Sequence, residues 1–144
     1  MLKPIITWHI FEEDETIQEN EYYLGSYSPN EEIQISFQVW NNRYGQVEAE
    51  TIDNARLAIY FETFEDNSIL NYCTVSVNEG EFSKPDIDVN KATLYIGELN
   101  GTINNGSATD KNRTHFKNVA LKFTNLPNNL KNGLKNLFID IELD

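Results

Sequence analysis

The stretch that decides the fold is Glu32-Ile33-Gln34-Ile35-Ser36-Phe37-Gln38-Val39-Trp40. Apolar and polar residues alternate along it with a period of two, which is the period at which side chains point to opposite faces of a β-strand. One face carries Ile33, Ile35, Phe37 and Val39, and the other carries Gln34, Ser36 and Gln38. The stretch therefore predicts a strand with one face in a hydrophobic core and the other face polar.

The same alternation recurs along the chain. It is clear in residues 56–62 and again in residues 136–143. Weaker runs, rich in the β-branched and aromatic residues that suit a pleated surface, occupy residues 5–11, 69–77, 92–99 and 116–123. Clusters of Asn, Gly, Ser and Asp separate these runs, as is typical of turns. The pattern predicts about seven strands.

Helical periodicity is confined to one short segment. Residues 128–135, with Leu130 and Leu134 four apart, favour a helical turn or two. Several short strands without intervening helices favour an antiparallel sandwich, and 144 residues suit a single core. We therefore expect an all-β protein, a single β-sandwich domain over residues 1–144 with immunoglobulin-like or jelly-roll topology.

The chain is strongly acidic. Asp and Glu outnumber Lys and Arg by 23 to 11, which gives a formal net charge of −12. Such a field repels nucleic acid and anionic lipid, and no apolar run approaches the ~18 residues of a membrane-spanning helix. The first residues also lack the apolar region of a secretory signal. We expect no nucleic-acid partner, no membrane partner, no cofactor, and synthesis in a cytoplasm.

One segment begins like a calcium-binding loop. Asp86-Ile87-Asp88-Val89-Asn90 places oxygen donors at the first, third and fifth positions of such a loop. Lys91 then stands where the loop requires glycine, and Gly97 stands where it requires a bidentate glutamate. The sequence therefore predicts no calcium site here.

Zinc and nucleophile patterns are also missing. His9 and His115 do not share a zinc-ligand spacing with each other or with Cys73, and the strand-like surroundings of Cys73 favour a small buried hydrophobe. No nucleophile elbow is present, and nothing selects a pair of carboxylates for a hydrolase among the 23 acids. We predict no metal site and no enzymatic activity.

Three aromatic residues are candidate contact residues. Trp8 and Trp40 lie on the opposite parity from the most apolar positions of their strands, and Tyr44 follows in the next turn. Exposed, these rings would form a platform for sugars or for a protein partner. Alternatively, the tryptophans close the two ends of the sandwich core, since large aromatic side chains are mostly buried.

A long loop is the second candidate contact surface. Residues 100–114 are rich in Asn and Gly and contain three matches to the N-glycosylation pattern, which are also ordinary turn residues. A loop of this length inside a compact domain is typically functional or flexible. We predict contacts with a partner or a glycan through Asn100, Asn104, Asn105 and Arg113.

Two segments resemble the small β-sandwich proteins of tailed-bacteriophage virions. The first is Phe37-Gln38-Val39-Trp40-Asn41-Asn42-Arg43-Tyr44-Gly45, a strand that ends in Trp-Asn-Asn. The second is the alternating strand Asn54-Ala55-Arg56-Leu57-Ala58-Ile59-Tyr60-Phe61. An acidic turn at Glu65-Asp66-Asn67 and the Asn/Gly loop at Leu99-Asn100-Gly101 extend the resemblance, which covers residues 33 to 123.

Members of this group decorate capsids or build necks, tails and baseplates by packing in symmetric arrays. The resemblance implies a non-catalytic virion structural protein, located in the virion, that binds other virion proteins in a multi-copy assembly. The alternative from a different functional class is a carbohydrate-binding module that recognises host-surface glycans through exposed aromatic rings.

Overall fold

A computed structural model of the chain describes residues 1–10, 16–17, 21–25, 32–61, 69–88, 90–125 and 135–142. These residues contain ten strands, and every pairing between strands is antiparallel. The strands are β1 (Ile6–Ile10), β2 (Thr16–Ile17), β3 (Glu21–Gly25), β4 (Ile33–Asn41), β5 (Ile52–Phe61), β6 (Cys73–Val77), β7 (Asp86–Ile87), β8 (Ala92–Leu99), β9 (Phe116–Phe123) and β10 (Lys135–Glu142).

The strands form two five-stranded sheets packed face to face. Sheet 1 has the order β2-β1-β4-β9-β6, and sheet 2 has the order β3-β10-β5-β8-β7. From β4 onward the chain crosses repeatedly between the sheets, since β4, β6 and β9 belong to sheet 1 while β5, β8 and β10 belong to sheet 2. The predicted all-β antiparallel sandwich is confirmed.

The seven segments predicted as strands each contain one, with two larger errors at their starts. Strand β5 begins at Ile52, before the predicted run of residues 56–62. Residues 69–72 form a 3-10 turn instead of the start of a strand, so β6 begins only at Cys73. The short strands β2, β3 and β7 were not predicted. The predicted turn at residues 65–67 lies outside the described residues, and so do residues 128–134 of the predicted helical segment 128–135. Its last residue, Lys135, is the first residue of β10.

Strand β4 shows why the alternating stretch dictates this fold. Ile35, Phe37 and Val39 are buried between the sheets, and Phe37 lies opposite Val119 of β9. Sheet 2 contributes the facing layer, in which Ile59 of β5 lies opposite Ile139 of β10. Each large apolar side chain buried in this way contributes about 1.5–3 kcal/mol, so the inward-facing rows hold the two sheets together.

The inward-facing row of β9 ends in a lysine. Phe123, Leu121 and Val119 face the core, and Lys117 continues the same row at the edge of it. Its Nζ donates a 2.6 Å hydrogen bond to the carbonyl oxygen of Glu98 on β8. Burial lowers the pKa of the Lys117 ammonium, and the carboxylate of Glu98 partly opposes this effect. Lys117 thus connects sheet 1 to sheet 2 through a polar contact.

Candidate binding surfaces

Asn41, at the end of β4, ties together three distant segments at one end of the sandwich. Its side chain is fully buried. The oxygen Oδ1 accepts a 3.0 Å hydrogen bond from the backbone N–H of Ile5, and Nδ2 donates to the carbonyls of Glu50 and Leu99, both at 2.9 Å. The backbone N–H of Asn41 also donates to the carbonyl of His115. This end of the molecule is therefore a single hydrogen-bonded unit.

Asn42 continues the unit into the predicted loop. Its φ angle is 56°, in the left-handed region that asparagine tolerates, and this conformation turns the chain out of β4. Its Nδ2 donates to the carbonyls of Val47 at 2.9 Å and Gly101 at 2.8 Å. The carbonyl of Gly101 also accepts from the backbone N–H of Ala49 at 2.9 Å. The start of the loop is thus fixed onto residues 42–49.

Asn100 and Asn104, two predicted contact residues, use their amides inside the protein. Asn104 accepts from the backbone N–H groups of Tyr44 and Gly106 and donates to the carbonyls of Asn42 and Thr102. Asn100 accepts through Oδ1 from the backbone N–H of Thr102 and the hydroxyl of Thr51, and its Nδ2 donates to Thr114. These two amides hold the loop in place, so they do not present hydrogen-bonding groups to a partner.

Asn105 and Arg113 lie further out in the same loop. Both are exposed. The oxygen Oδ1 of Asn105 accepts from the backbone N–H of Ser107 and from the side chain of the buried Asn112. The Arg113 guanidinium lies 3.8 Å from the Asp110 carboxylate, and both side chains are largely in solvent. Of the predicted loop residues, Arg113 therefore has the side chain best placed to reach a partner.

Neither tryptophan forms an exposed platform. Trp8 is 6% exposed and points into the core, where its ring meets Phe37 edge-on at a centroid distance of 5.6 Å. The inference that Trp8 lies opposite to the core residues of its strand was wrong. The predicted segment 5–11 carries apolar residues on both parities, whereas in β1 itself Ile6, Trp8 and Ile10 all lie on one parity. Trp40 does lie on the outer face of sheet 1, yet it is 0% exposed.

The outer face of Trp40 is covered by its neighbours. Its ring stacks on Phe116 at a centroid distance of 4.7 Å, and the Arg43 guanidinium lies 4.6 Å from its centroid. Arg43 also lies 5.0 Å from the Tyr44 ring and donates to the carbonyl of Gly106 at 2.9 Å. Tyr44 is exposed, and its ring lies so close to Gly106 that a β-carbon there would clash with it. Of the predicted aromatic platform, only Tyr44 reaches solvent.

An apolar surface that sequence reasoning missed lies on the same end of the sandwich. Leu2, Val47 and Ile103 are 46%, 60% and 54% exposed. Their backbones meet at Glu48: the N–H of Leu2 donates to the Glu48 carbonyl at 3.3 Å, and the N–H of Ile103 donates to the Glu48 carboxylate at 3.2 Å. We call Leu2, Val47 and Ile103 the loop-end patch. Val47 and Ile103 are single apolar residues in polar segments, a pattern that could have indicated exposed apolar side chains.

A second surface lies on the outer face of sheet 1, where the turn after β6 folds over the sheet. It is a pocket of about 270 Å³. The residues that line it are Gln34, Ser36, Ser76, Glu79, Gly80, Phe82, Asn118, Val119 and Ala120. None of them was among the predicted site residues, because Phe82 and Asn118 are far apart in sequence and only the fold brings them together.

The residues considered for metal chemistry are engaged in local contacts. Cys73, His9 and His115 are buried. The Nε2 atom of His9 lies 2.7 Å from the Thr7 hydroxyl, and Nδ1 of His115 lies 2.9 Å from the carbonyl of Asn100. Within the described residues, no three His, Cys, Asp or Glu side chains converge in a metal-binding group.

The segment that begins like a calcium loop contributes to β7 and the turn after it. Asp86 forms a 2.9 Å ion pair with Arg56 of β5, and Asp88 accepts a hydrogen bond from the backbone N–H of Asn90. These carboxylates therefore serve a surface pair and a turn. The described part of the chain also contains no helix long and apolar enough to cross a membrane.

Comparison with models of known protein families and with curated proteins finds no match to this chain.

Proposed function

We propose that this chain is a non-catalytic structural protein of a tailed-bacteriophage virion, which binds other virion proteins in a multi-copy assembly. The resemblance of residues 33 to 123 to such proteins suggests this class. The observation that carries the proposal is the loop-end patch, since Leu2, Val47 and Ile103 hold apolar side chains in solvent on a hydrogen-bonded frame.

The rigidity of the frame favours binding. Ordering a flexible loop on association costs free energy, so a contact surface that is already fixed retains more of its interaction energy as affinity. Asn41, Asn42 and Asn104 fix the segments that carry Val47 and Ile103 before any partner arrives. The patch is therefore suited to docking without rearrangement.

Charge indicates the chemistry of the partner surface. The acids Glu48 and Glu50 border the patch, and the whole chain carries a net charge of −12. Complementary potentials favour association, whereas like charges oppose it. The partner surface is an apolar area with Lys or Arg at its rim, and the acidic charge keeps free copies of this chain apart before assembly.

Incorporation of a patch variant into particles tests the proposal. Val47→Asp places a charge in the patch, and Ile87→Asp, on the exposed edge strand β7, is the matched control. We expect the wild-type chain and the Ile87 variant to be found by electron microscopy at repeated positions on the particle, and the Val47 variant to be lost from it. A chain absent from every particle of its source would overturn the proposal.

Glycan binding by stacking on the tryptophans is not part of this proposal. Stacking on a sugar requires an accessible ring face, and both Trp8 and Trp40 are buried.

A further inference from the structure

Tyr44 is held in a fixed position at the end of the sandwich that carries the loop-end patch. Its φ angle is 60°, in the left-handed region that is strained for an aromatic residue, and its backbone N–H donates to Oδ1 of Asn104 at 3.1 Å. The ring lies against Gly106, and the Arg43 guanidinium is 5.0 Å from its centroid. The residue is nevertheless 57% exposed. A side chain that is ordered before binding loses little entropy on binding, so Tyr44 is suited to anchor a contact.

Two exposed cations lie beside the Tyr44 ring. Nδ2 of Asn112 donates to the carbonyl of Ser107 at 2.8 Å, which brings the turn around Asn112 next to the segment that supports the ring. Lys111 and Arg113 stand on either side of Asn112, and both are exposed. The exposed ring is therefore part of a surface that also carries positive charge.

The pocket on the outer face of sheet 1 offers carbon surface to an incoming side chain. Its accessible lining is mostly apolar and includes Ala120, Phe82 and Gly80. The Lys122 ammonium lies 4.1 Å from the centroid of the Phe82 ring and covers one face of it, so the rest of the ring remains for contact. The Ser76 hydroxyl donates to the carbonyl of Gly80 at 2.7 Å. The wall of the pocket is thus in place before anything enters.

Acidic residues outnumber basic residues around this pocket. Glu79 lines it, and Glu81 is exposed in the same turn. Lys122 lies 3.5 Å from Glu32, and Lys84 is exposed just beyond the turn. Three acids and two bases give the surroundings of the pocket a formal charge of −1.

The surroundings of Tyr44 have the opposite charge. The residues that support the ring and their neighbours include three bases and two acids, namely Arg43, Lys111, Arg113, Asp110 and Glu48. Their formal charge is +1, in a chain whose net charge is −12. Complementary potentials favour association and suppress wrong partners, so the two surfaces match each other in charge as well as in shape.

A chain cannot place Tyr44 in its own pocket. Tyr44 follows Trp40 at the end of β4, whereas Ser36, which lines the pocket, lies four residues earlier in the same strand. Four residues of a strand span about 13 Å, which is beyond the reach of a side chain whose ring rests on Gly106. Both surfaces therefore remain open on each copy.

We propose that the pocket on sheet 1 receives the Tyr44 side chain of a second copy of this chain. The ring of one copy packs against Phe82 and Ala120 of the other, and the cations beside the ring face Glu79 and Glu81. Every copy carries both the anchor and the pocket, so the contact can repeat from copy to copy. This inference goes beyond the proposed function, and it does not use the loop-end patch.

One inserted side chain makes a weak contact, and the net charge of −12 on each copy opposes it. We therefore expect a Kd of about 0.1–1 mM in free solution. Such an affinity leaves dilute copies apart. It becomes effective where copies are held side by side at a high effective concentration.

Two variants that each lack one half of the contact test the inference. Tyr44→Ala removes the anchor and keeps the pocket, whereas Ala120→Glu blocks the pocket and keeps the anchor. Two-dimensional NMR spectra of the isotope-labelled Tyr44→Ala chain are recorded during titration with the unlabelled Ala120→Glu chain. We expect the backbone amide signals of Gly80 and Phe82 to shift, with the affinity given above. With the label on the Ala120→Glu chain instead, the signals of Tyr44 and Gly106 should shift.

Matched titrants show whether Tyr44 is the anchor. An Ala120→Glu chain that also carries Tyr44→Ala should produce no shift. An Ala120→Glu chain that also carries Tyr95→Ala, which removes another exposed tyrosine on sheet 2, should act as Ala120→Glu alone does. Phe82→Ala removes a wall of the pocket on an exposed turn. In the labelled chain it should weaken binding about tenfold or more, and as a titrant it replaces Ala120→Glu if that variant unfolds.

The failing outcomes are distinct. If the signals of Gly80 and Phe82 stay unchanged at millimolar concentrations of titrant, or if the titrant without Tyr44 shifts them equally, the inference is wrong. Shifts confined to sheet 2 would place the contact elsewhere and would also overturn it. None of these results bears on incorporation into particles, which the Val47 variant tests separately.

Discussion

The side-chain Nδ2 of Asn42 lies 2.8 Å from the carbonyl oxygen of Gly101, 59 residues further along the chain. This hydrogen bond joins the turn after β4 to the loop before β9, so the loop is part of the folded body. The sequence predicts that the 100–114 segment is a contact loop. Because its amides and carbonyls hold the end of the sandwich together, truncating it would remove structural support as well as surface.

Replacing Asn42 with Ala should destabilise the protein by about 2–4 kcal/mol. The change removes the donor to the Val47 and Gly101 carbonyls and places an alanine at a φ of 56°. Urea denaturation measures the loss. Asn54→Ala, at an exposed position on sheet 2, should change stability by less than about 0.5 kcal/mol. Equal midpoints for the two variants would contradict this account of Asn42.

Gly101→Ala should destabilise the protein by about 1–3 kcal/mol through overpacking. A β-carbon at Gly101 would lie 2.5 Å from the carbonyl oxygens of both Ala49 and Glu50. At Gly80, by contrast, a β-carbon would be 3.1 Å from the Val77 carbonyl oxygen. Gly80→Ala should therefore lower the thermal midpoint less than Gly101→Ala does. The reverse order would show that residues 49–50 do not contact the loop closely.

Tryptophan fluorescence should be protected from acrylamide in the wild-type protein, because Trp8 and Trp40 are both buried. Arg43→Ala removes the guanidinium that lies 4.6 Å from the Trp40 ring centroid, so we expect a red shift and stronger quenching. Arg113→Ala is the control, since Arg113 is exposed in the loop. Strong quenching of the wild-type protein would mean that a tryptophan is accessible and would reopen the platform hypothesis.

Cys73 should not react with Ellman's reagent until the protein unfolds. Burial raises the pKa of its thiol to about 12 from the ordinary 9.0, and the thiolate is the reactive form. Because the folded-state pKa is the higher one, the folded state keeps its proton longer. The stability that the raised pKa of Cys73 contributes is therefore fully present below pH 9 and is lost as the pH rises toward 12. Labelling of the native protein at neutral pH, at the rate of a free thiol, would contradict this placement.

Lys117 should give the opposite dependence on pH. Its folded-state pKa lies below the ordinary 10.5, so the folded state releases its proton first. The stability contribution of this residue therefore rises with pH between the lowered pKa and 10.5. Lys117→Met removes the ammonium and serves as the reference, because the other titrating groups are common to both proteins. The free energy of unfolding of the wild type, minus that of the variant, should increase over this range in urea titrations. A constant difference would place the ammonium in solvent.

The fold could be predicted from the local alternation of apolar and polar residues, and the errors in that prediction have local causes. The period of two in β4 predicts which side chains enter the core, and Ile35, Phe37 and Val39 do so. Ile69 and Leu70 both belong to the hydrophobic core, whereas consecutive residues of a strand point to opposite faces of the sheet. The chain satisfies both in a 3-10 turn. Trp8 was placed on the wrong face because the predicted segment 5–11 is apolar on both parities, although the strand within it is not.

The candidate surfaces were harder to predict from the sequence, because long-range contacts decide which side chains face solvent. Asn100 and Asn104 looked like surface amides, but their partners in residues 42–51 turn them inward. Trp40 has the outward parity and is covered by Arg43 and Phe116. The pocket on sheet 1 depends on the turn that carries Glu79, which is 39 residues from its hydrogen-bond partner Asn118.

The loop-end patch draws on positions 2, 47 and 103, and the amide of Asn41 that supports this end of the sandwich spans separations of 36 and 58 residues. Contacts between such distant residues require the closure of long loops and are slow to form during folding. A growing or misfolded chain therefore does not display the three side chains together. The loop-end patch therefore exists only on the completed fold, so the proposed assembly would follow folding and would leave out defective copies.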